Sequence, residues 1–197
     1  VKTGEGGRMF GAVTATDISA EMVTALSAEA ARRGLTHIRA ARMDAEELQL
    51  PDAAYDAALC ALGLMYLPDP LAGLREMGRV LRPGGRAVAA VWGARDRCGW
   101  AEIFPIVDRR VSSEVCPMFF QLGGREALSF ALETTGFADI TIERMSTVLH
   151  YESADAAIGA AFVGGPVALA HSRFDEKTRS EAYAEYLGSI AAWKRGD

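Results

Sequence analysis

The stretch from Asp69 to Trp92, DPLAGLREMGRVLRPGGRAVAAVW, admits few folds. Asp69 can cap a helix, and Pro70 can take its first position, where a missing N–H costs nothing. Leu71, Leu74, Met77, Gly78 and Leu81 then fall on one face of that helix. Arg82-Pro83-Gly84-Gly85 ends it, and Ala87 to Trp92 is apolar enough for a buried strand. A helix, a tight turn and a strand in this order make one step of an open α/β sheet with right-handed crossovers.

The same alternation extends in both directions. Val1 to Gly11 holds four glycines and predicts a loop. Ala12 to Asp17 is a short strand. Ser19 then caps a helix whose stripe is Met22, Val23, Leu26 and Ala30, with Glu21 at its positive end and Gly34 as its stop. His37 to Met43 is a second strand, and Tyr55 to Leu62 reads as a central parallel strand buried on both faces. Helical portions follow around Ala101–Val111 and Glu126–Thr135, the latter stopping at Gly136. In Ala138–Met145, Ile140 and Ile142 alternate with Asp139, Thr141 and Glu143, which predicts an antiparallel edge strand. From Ser153 the chain is helical, with Tyr183, Tyr186, Leu187, Ile190 and Trp193 on one face. The expectation is a single domain with its core over 12–145 and a helical tail over 153–197.

Composition narrows the partners. The 197 residues carry a formal net charge of −5 and a pI near 5.3, which leaves no basic field to hold nucleic acid. A small or uncharged ligand is the easier fit. Cys60, Cys98 and Cys116 are odd in number and lack C-x-x-C spacing, which argues against a disulfide framework or a zinc site and suits a reducing cytoplasm. No apolar run reaches the roughly 18 residues of a membrane span. A cytoplasmic protein is expected.

Acids at strand ends are the chemically suggestive residues, because open α/β sheets bind ligands beyond the carboxyl ends of their strands. The Asp17 carboxylate can accept from both hydroxyls of a ribose, or it can simply turn the chain into the next helix. Asp44 can accept from an exocyclic amine of adenine while the Ala45 N–H meets a ring nitrogen; it can equally cap a helix containing Glu46 and Glu47. The small residues of Ala61-Leu62-Gly63 permit either close ligand approach or strand–helix packing. Tyr66, Trp92 and Trp100 could line an acceptor pocket or pack as core and rim. His150, in VLHYES, is a candidate base or a structural residue, and His171 reads as a surface helix residue. No metal-ligand spacing and no Ser-His-Asp order is present.

The succession VTATDIS, MDAEELQLPDAAYDAALCALGL and YLPDPLAGLREMGRVLRPGGRAVAAVW resembles the type 11 methyltransferases of class I, which use S-adenosylmethionine and include enzymes of ubiquinone and menaquinone biosynthesis. The run L-R-E-M-x-R-V-L-R-P-G-G is the most family-specific piece. The resemblance implies a Rossmann-like, mostly parallel sheet flanked by helices. It places Asp17 on the ribose diol with Ile18 and Met22 packing nearby. It also places Asp44 and Ala45 on the adenine, and Ala61 near the sulfonium and amino-acid end. The implied reaction is methyl transfer to a small-molecule acceptor, and no catalytic residue carries over.

One departure stands out. The family's opening strand and D-x-G-x-G-x-G loop, which offers backbone N–H groups to the cofactor, has no counterpart before Asp17. Gly4, Gly6 and Gly7 lie too close to it. No seventh strand is visible after the tail. The sequence therefore predicts a domain truncated at both ends, with weak or lost cofactor affinity. The alternative is a non-catalytic interaction module that keeps the fold, with exposed sheet edges favouring a homodimer or another partner. A nicotinamide-dependent oxidoreductase ranks last, for want of any G-x-G-x-x-G.

Overall fold

The computed structural model describes residues 11–111, 119–124, 126–164 and 166–195. They form two compact units, one built from 11–59 and 69–88, the other from 60–68 and the described residues from 89 to 195.

In the first unit, strand β1 (Val13–Asp17) and strand β2 (Ile38–Arg42) pair in parallel, in register from Val13↔Ile38 to Asp17↔Arg42. A parallel pair needs a crossover, and helix α1 (Ala20–Arg32) supplies it. Ser19 caps α1 by accepting the Met22 N–H at 3.2 Å. At the other end, the Leu35 N–H reaches Ala30 O and the Gly34 N–H reaches Ala31 O. This double closure needs a left-handed residue at Gly34, whose φ is +66°.

Helix α2 (Pro70–Val80) begins as the sequence predicts: the Asp69 carboxylate accepts from the N–H groups of Leu71 and Ala72. Its inward face is Gly73, Leu74, Met77 and Val80. Arg79 anchors the preceding loop to this helix. Its guanidinium donates to the carbonyls of Leu48 and Leu50, both at 2.8 Å, and pairs with Glu76 and Asp52. Glu76 also accepts the Leu48 N–H, and the Arg79 charge beside it holds its carboxyl below the usual range.

Strand β3 (Tyr55–Ala61) pairs with strand β4 (Leu81–Ala90). The Ala54 N–H donates to Val80 O and the Leu62 N–H to Ala90 O, so both chains advance together and run parallel. Two expectations are corrected here. The Arg82–Gly85 turn lies inside β4, not between helix and strand. Gly84 takes φ +77°, and a side chain at Gly85 would stand 2.9 Å from Arg82 O. Nor is β3 buried on both faces: Leu59 is 75 % exposed and Val88, on β4, 59 %. The cause is topological. Among the described residues the strands form two separate pairs, β1–β2 and β3–β4, not one continuous sheet. Within the first unit, the Tyr55 hydroxyl and the Thr14 hydroxyl link β3 to β1 at 2.9 Å.

The second unit is helical. Helix α3 (Ile103–Asp108) buries Ile103, Phe104, Ile106 and Val107. Helix α4 (Ala127–Thr134) stops at Gly136, with φ +91°. Helix α5 (Ala154–Ile158) runs into a π-helical turn, Gly159–Val163. Helices α6 (Ala168–His171) and α7 (Glu176–Ile190) complete the unit. Ala182 and Tyr186 of α7 are fully buried. Glu185 of α7 pairs with both Arg109 and Arg110 after α3.

Three further expectations fail. Residues 140–150 form no strand, and Ile142, Met145 and Val148 are exposed. Alternation alone makes no strand where no neighbour supplies a ladder. Trp193 lies beyond the end of α7 and is 78 % exposed, off the buried face. His171 is buried, packed against Phe162, with Nε2 2.8 Å from the Tyr183 hydroxyl.

Two outcomes are expected. Leu74, with no exposed surface, leaves a cavity when shortened, so Leu74→Ala should cost about 2–5 kcal/mol in urea unfolding. Burial and the charge of Arg179 lower the His171 pKa below 6.5. A folded-state pKa below the unfolded one means the native chain binds fewer protons, so this stability is complete above about pH 6.5 and is lost as pH falls below it. Unfolding midpoints should drop between about pH 7 and pH 5, and His171→Phe should flatten that stretch of the curve.

Candidate functional site

Parallel pairing places the carboxyl ends of β1 and β2 at one edge. Asp17 stands opposite Arg42, and the Met43 N–H donates to Asp17 O at 3.1 Å. Arg42 Nε donates to Ile18 O at 2.8 Å and braces the turn that leaves β1. One Asp17 carboxylate oxygen accepts the Ser19 N–H at 2.8 Å, which orients the group. Its other oxygen has no hydrogen-bond partner among the described residues. Asp17 does not cap α1; Ser19 does. Beside it, Ile18 and Met22 are 60 % and 58 % exposed, two large apolar side chains flanking an exposed acid.

Asp44 lies two residues beyond the register partner of Asp17. Its carboxylate accepts the Glu46 N–H at 2.9 Å, and its carbonyl accepts the Glu47 N–H. No helix follows, so the capping alternative for Asp44 fails; the residue closes a turn. Ala45 sits half-buried within that turn. Glu46 is engaged elsewhere, accepting the Asp69 N–H at 2.7 Å. The structure thus brings Asp17, Ile18, Met22, Asp44 and Ala45 to one strand-pair edge.

Ala61 belongs to the other strand pair, at the exposed end of β3. Leu62 follows with φ +60°, a left-handed conformation uncommon outside glycine. Gly63 is small for a packing reason, since a Cβ there would stand 2.8 Å from Cys60 Sγ. Burial raises the pKa of the Cys60 thiol, and that of Cys98 too, so neither is an activated nucleophile. Cys116 and the segment holding Gly4, Gly6 and Gly7 lie outside the described residues. Among the described residues no cluster of His, Cys, Asp and Glu could hold a metal.

The second unit contains a cavity of about 240 Å³. Tyr66, Trp92 and Trp100 all line it, joined by Phe119, Tyr151 and Tyr186. Trp92 and Trp100 meet edge to face at 5.3 Å, and Tyr66 meets Phe119 at 5.1 Å. His150 is exposed and absent from the lining. Sequence reasoning missed the contribution of the π-helical turn, whose Ala160 and Ala161 form part of the wall. The readable signal was the run Gly159-Ala160-Ala161, small enough to leave space, on a turn type frequent at functional sites.

Residues 3–89 match the methyltransferase domain of the type 11 family. The ubiquinone/menaquinone biosynthesis C-methyltransferase of Bdellovibrio bacteriovorus is 39% identical over 83 residues, 42% of this chain and 35% of that protein. An uncharacterized protein of Mycobacterium tuberculosis is 31% identical over 147 residues, 73% of this chain and 52% of that one. The chain therefore spans between about a third and a half of these relatives. The crystal structure of the YcgJ protein from Bacillus subtilis superposes with a TM-score of 0.60 at 19% identity, over 85% of this chain and 70% of that one. That likeness shows the fold, a Rossmann-like arrangement of parallel strands flanked by helices.

Proposed function

We propose that the chain, whose residues 3–89 match the type 11 methyltransferase domain, works as an S-adenosylmethionine-dependent methyltransferase of class I and transfers a methyl group to a small-molecule acceptor. The observation that carries this is the shared edge of β1 and β2, where an exposed, oriented carboxylate with a spare oxygen is followed in the chain by two exposed apolar side chains, Ile18 and Met22.

These residues fit a nucleoside. The Asp17 carboxylate accepts from the ribose hydroxyls, a charge-assisted contact of about 1.5–3 kcal/mol. Ile18 and Met22 cover apolar ring surface that would otherwise meet water. Asp44 and the Ala45 N–H offer an acceptor and a donor to the edge of adenine. The activated methyl is chemistry that bound S-adenosylmethionine supplies. The chain's own contribution is to bind and align, and alignment of this kind supplies roughly 7–11 kcal/mol in favourable cases. A base is required only where the acceptor must lose a proton.

A second reading, a non-catalytic module that self-associates, draws support from Leu59 and Val88, exposed on the paired strands β3 and β4. The two readings part on one sample. Titration calorimetry with S-adenosylhomocysteine should give weak but saturable binding, in keeping with the missing glycine loop, that falls about ten-fold or more further in Asp17→Ala, at about 1.4 kcal/mol per ten-fold. Equal affinity in the variant, or no binding at all, overturns methyl transfer. A dimer in sedimentation that Leu59→Lys dissolves would then favour the module.

A further inference from the structure

The Asp44 turn is held in place by groups that lie far along the chain. From Met43 to Ala54 no residue is fully buried, and no helix or strand runs through the segment. Apolar burial therefore does little to fix its shape, and a segment of this kind keeps one conformation through its hydrogen bonds.

Those bonds come from helix α2, in the same compact unit. At the start of α2, the N–H of the capping Asp69 donates to Glu46 Oε1 at 2.7 Å. Near its end, Arg79 spreads across the segment. Nη2 donates to Leu48 O and Nη1 to Leu50 O, each at 2.8 Å, while Nε donates to Glu76 Oε1 at 2.7 Å. Glu76 Oε2 accepts the Leu48 N–H at 2.7 Å, so one ion pair grips both backbone groups of Leu48. The turn that closes on Asp44, through the Glu46 and Glu47 N–H groups, is thus tied to α2 from within at Glu46 and just beyond at Leu48.

This pair differs from the surface pairs elsewhere in the unit. The Arg79 and Glu76 side chains are 30 % and 18 % exposed, against 68 % and 40 % for Arg32 and Glu29, a pair of the kind that contributes little. A lysine could not replace Arg79, because only the planar guanidinium carries enough fixed donors for two carbonyls and a carboxylate at once.

We infer that Arg79, together with Glu46, is a positioning residue for base recognition: it holds the Asp44 carboxylate and the Ala45 N–H in the one arrangement that meets the edge of adenine, and so sets the preference for adenine over a base with a carbonyl in place of the amine. The inference rests on the nucleoside reading given above and gives Arg79 no contact with the ligand.

The test is titration calorimetry of the full chain with S-adenosylhomocysteine and S-inosylhomocysteine, which differ at that amine and share the ribose and the amino-acid end. The unsubstituted chain should bind the adenine compound at least about ten-fold more tightly, since a site that hydrogen-bonds a ligand N–H rejects the analogue lacking it. Arg79→Lys keeps the charge but loses the fork, and should bring that ratio down toward one; Glu46→Ala, which cuts the other tie, should do the same. Asp44→Ala should abolish the ratio, and adding Arg79→Lys to it should change the ratio no further, because Arg79 acts through Asp44. A purely structural loss would weaken both compounds alike. An unchanged ratio in Arg79→Lys overturns the inference, and if circular dichroism shows that variant unfolded, an unchanged ratio in Glu46→Ala does so instead; loss of the ratio in Asp44→Ala alone then leaves the nucleoside reading standing. Equal binding of the two compounds by the unsubstituted chain, or no binding of either, overturns the adenine assignment and this inference together.

Discussion

The parallel register between β1 and β2 governs what this chain can present. A one-residue slip in a strand turns every side chain to the opposite face, and here it would separate the Asp17 edge from the Asp44 turn. The register is set locally at both ends of the crossover. Ser19 starts α1, the left-handed Gly34 stops it, and the Leu35 and Gly34 N–H groups close on the last turn. Helix length between those two signals determines where β2 begins, and so which residue faces Asp17. The Arg42 bond to Ile18 O then pins the far end.

Local signals were legible because their partners lie within a few residues. The Asp69 cap, Pro70, the glycine stops at 34 and 136, and the strand end at Asp17 all follow from the chain's own neighbours. What could not be read depended on distant partners. Tyr55–Leu62 is apolar enough for a doubly covered strand, but coverage is decided by what packs on it, and Leu59 is left exposed. The alternation at 138–145 needs a neighbouring strand that the described residues do not provide. His171 reads as polar surface until Phe162 and Tyr183 close over it from other elements.

The candidate site divides along the same line. Asp17 and Asp44 were identifiable because both end β-prone runs; the structure removes the capping alternative for Asp44 by ending its segment in a turn, while the Asp17 carboxylate does take part in the turn into α1 through the Ser19 N–H. Tyr66, Trp92 and Trp100 were visible as aromatics but not as one wall. Tyr186 was predicted only as part of a helix face, and nothing in its spacing signals a fully buried hydroxyl.

The π-helical turn at Gly159–Val163 bears on how this chain can change. Such a turn holds one more residue than an α-helical turn in nearly the same rise. Deleting a single residue there would let the segment close as an ordinary α-helical turn, with the chain before and after it keeping its orientation while Ala160 and Ala161 shift around the turn. A loss of one codon would thus reshape the pocket while leaving its indole and phenol rings in place, a route by which descendants of one scaffold can acquire different ligands without rebuilding their cores.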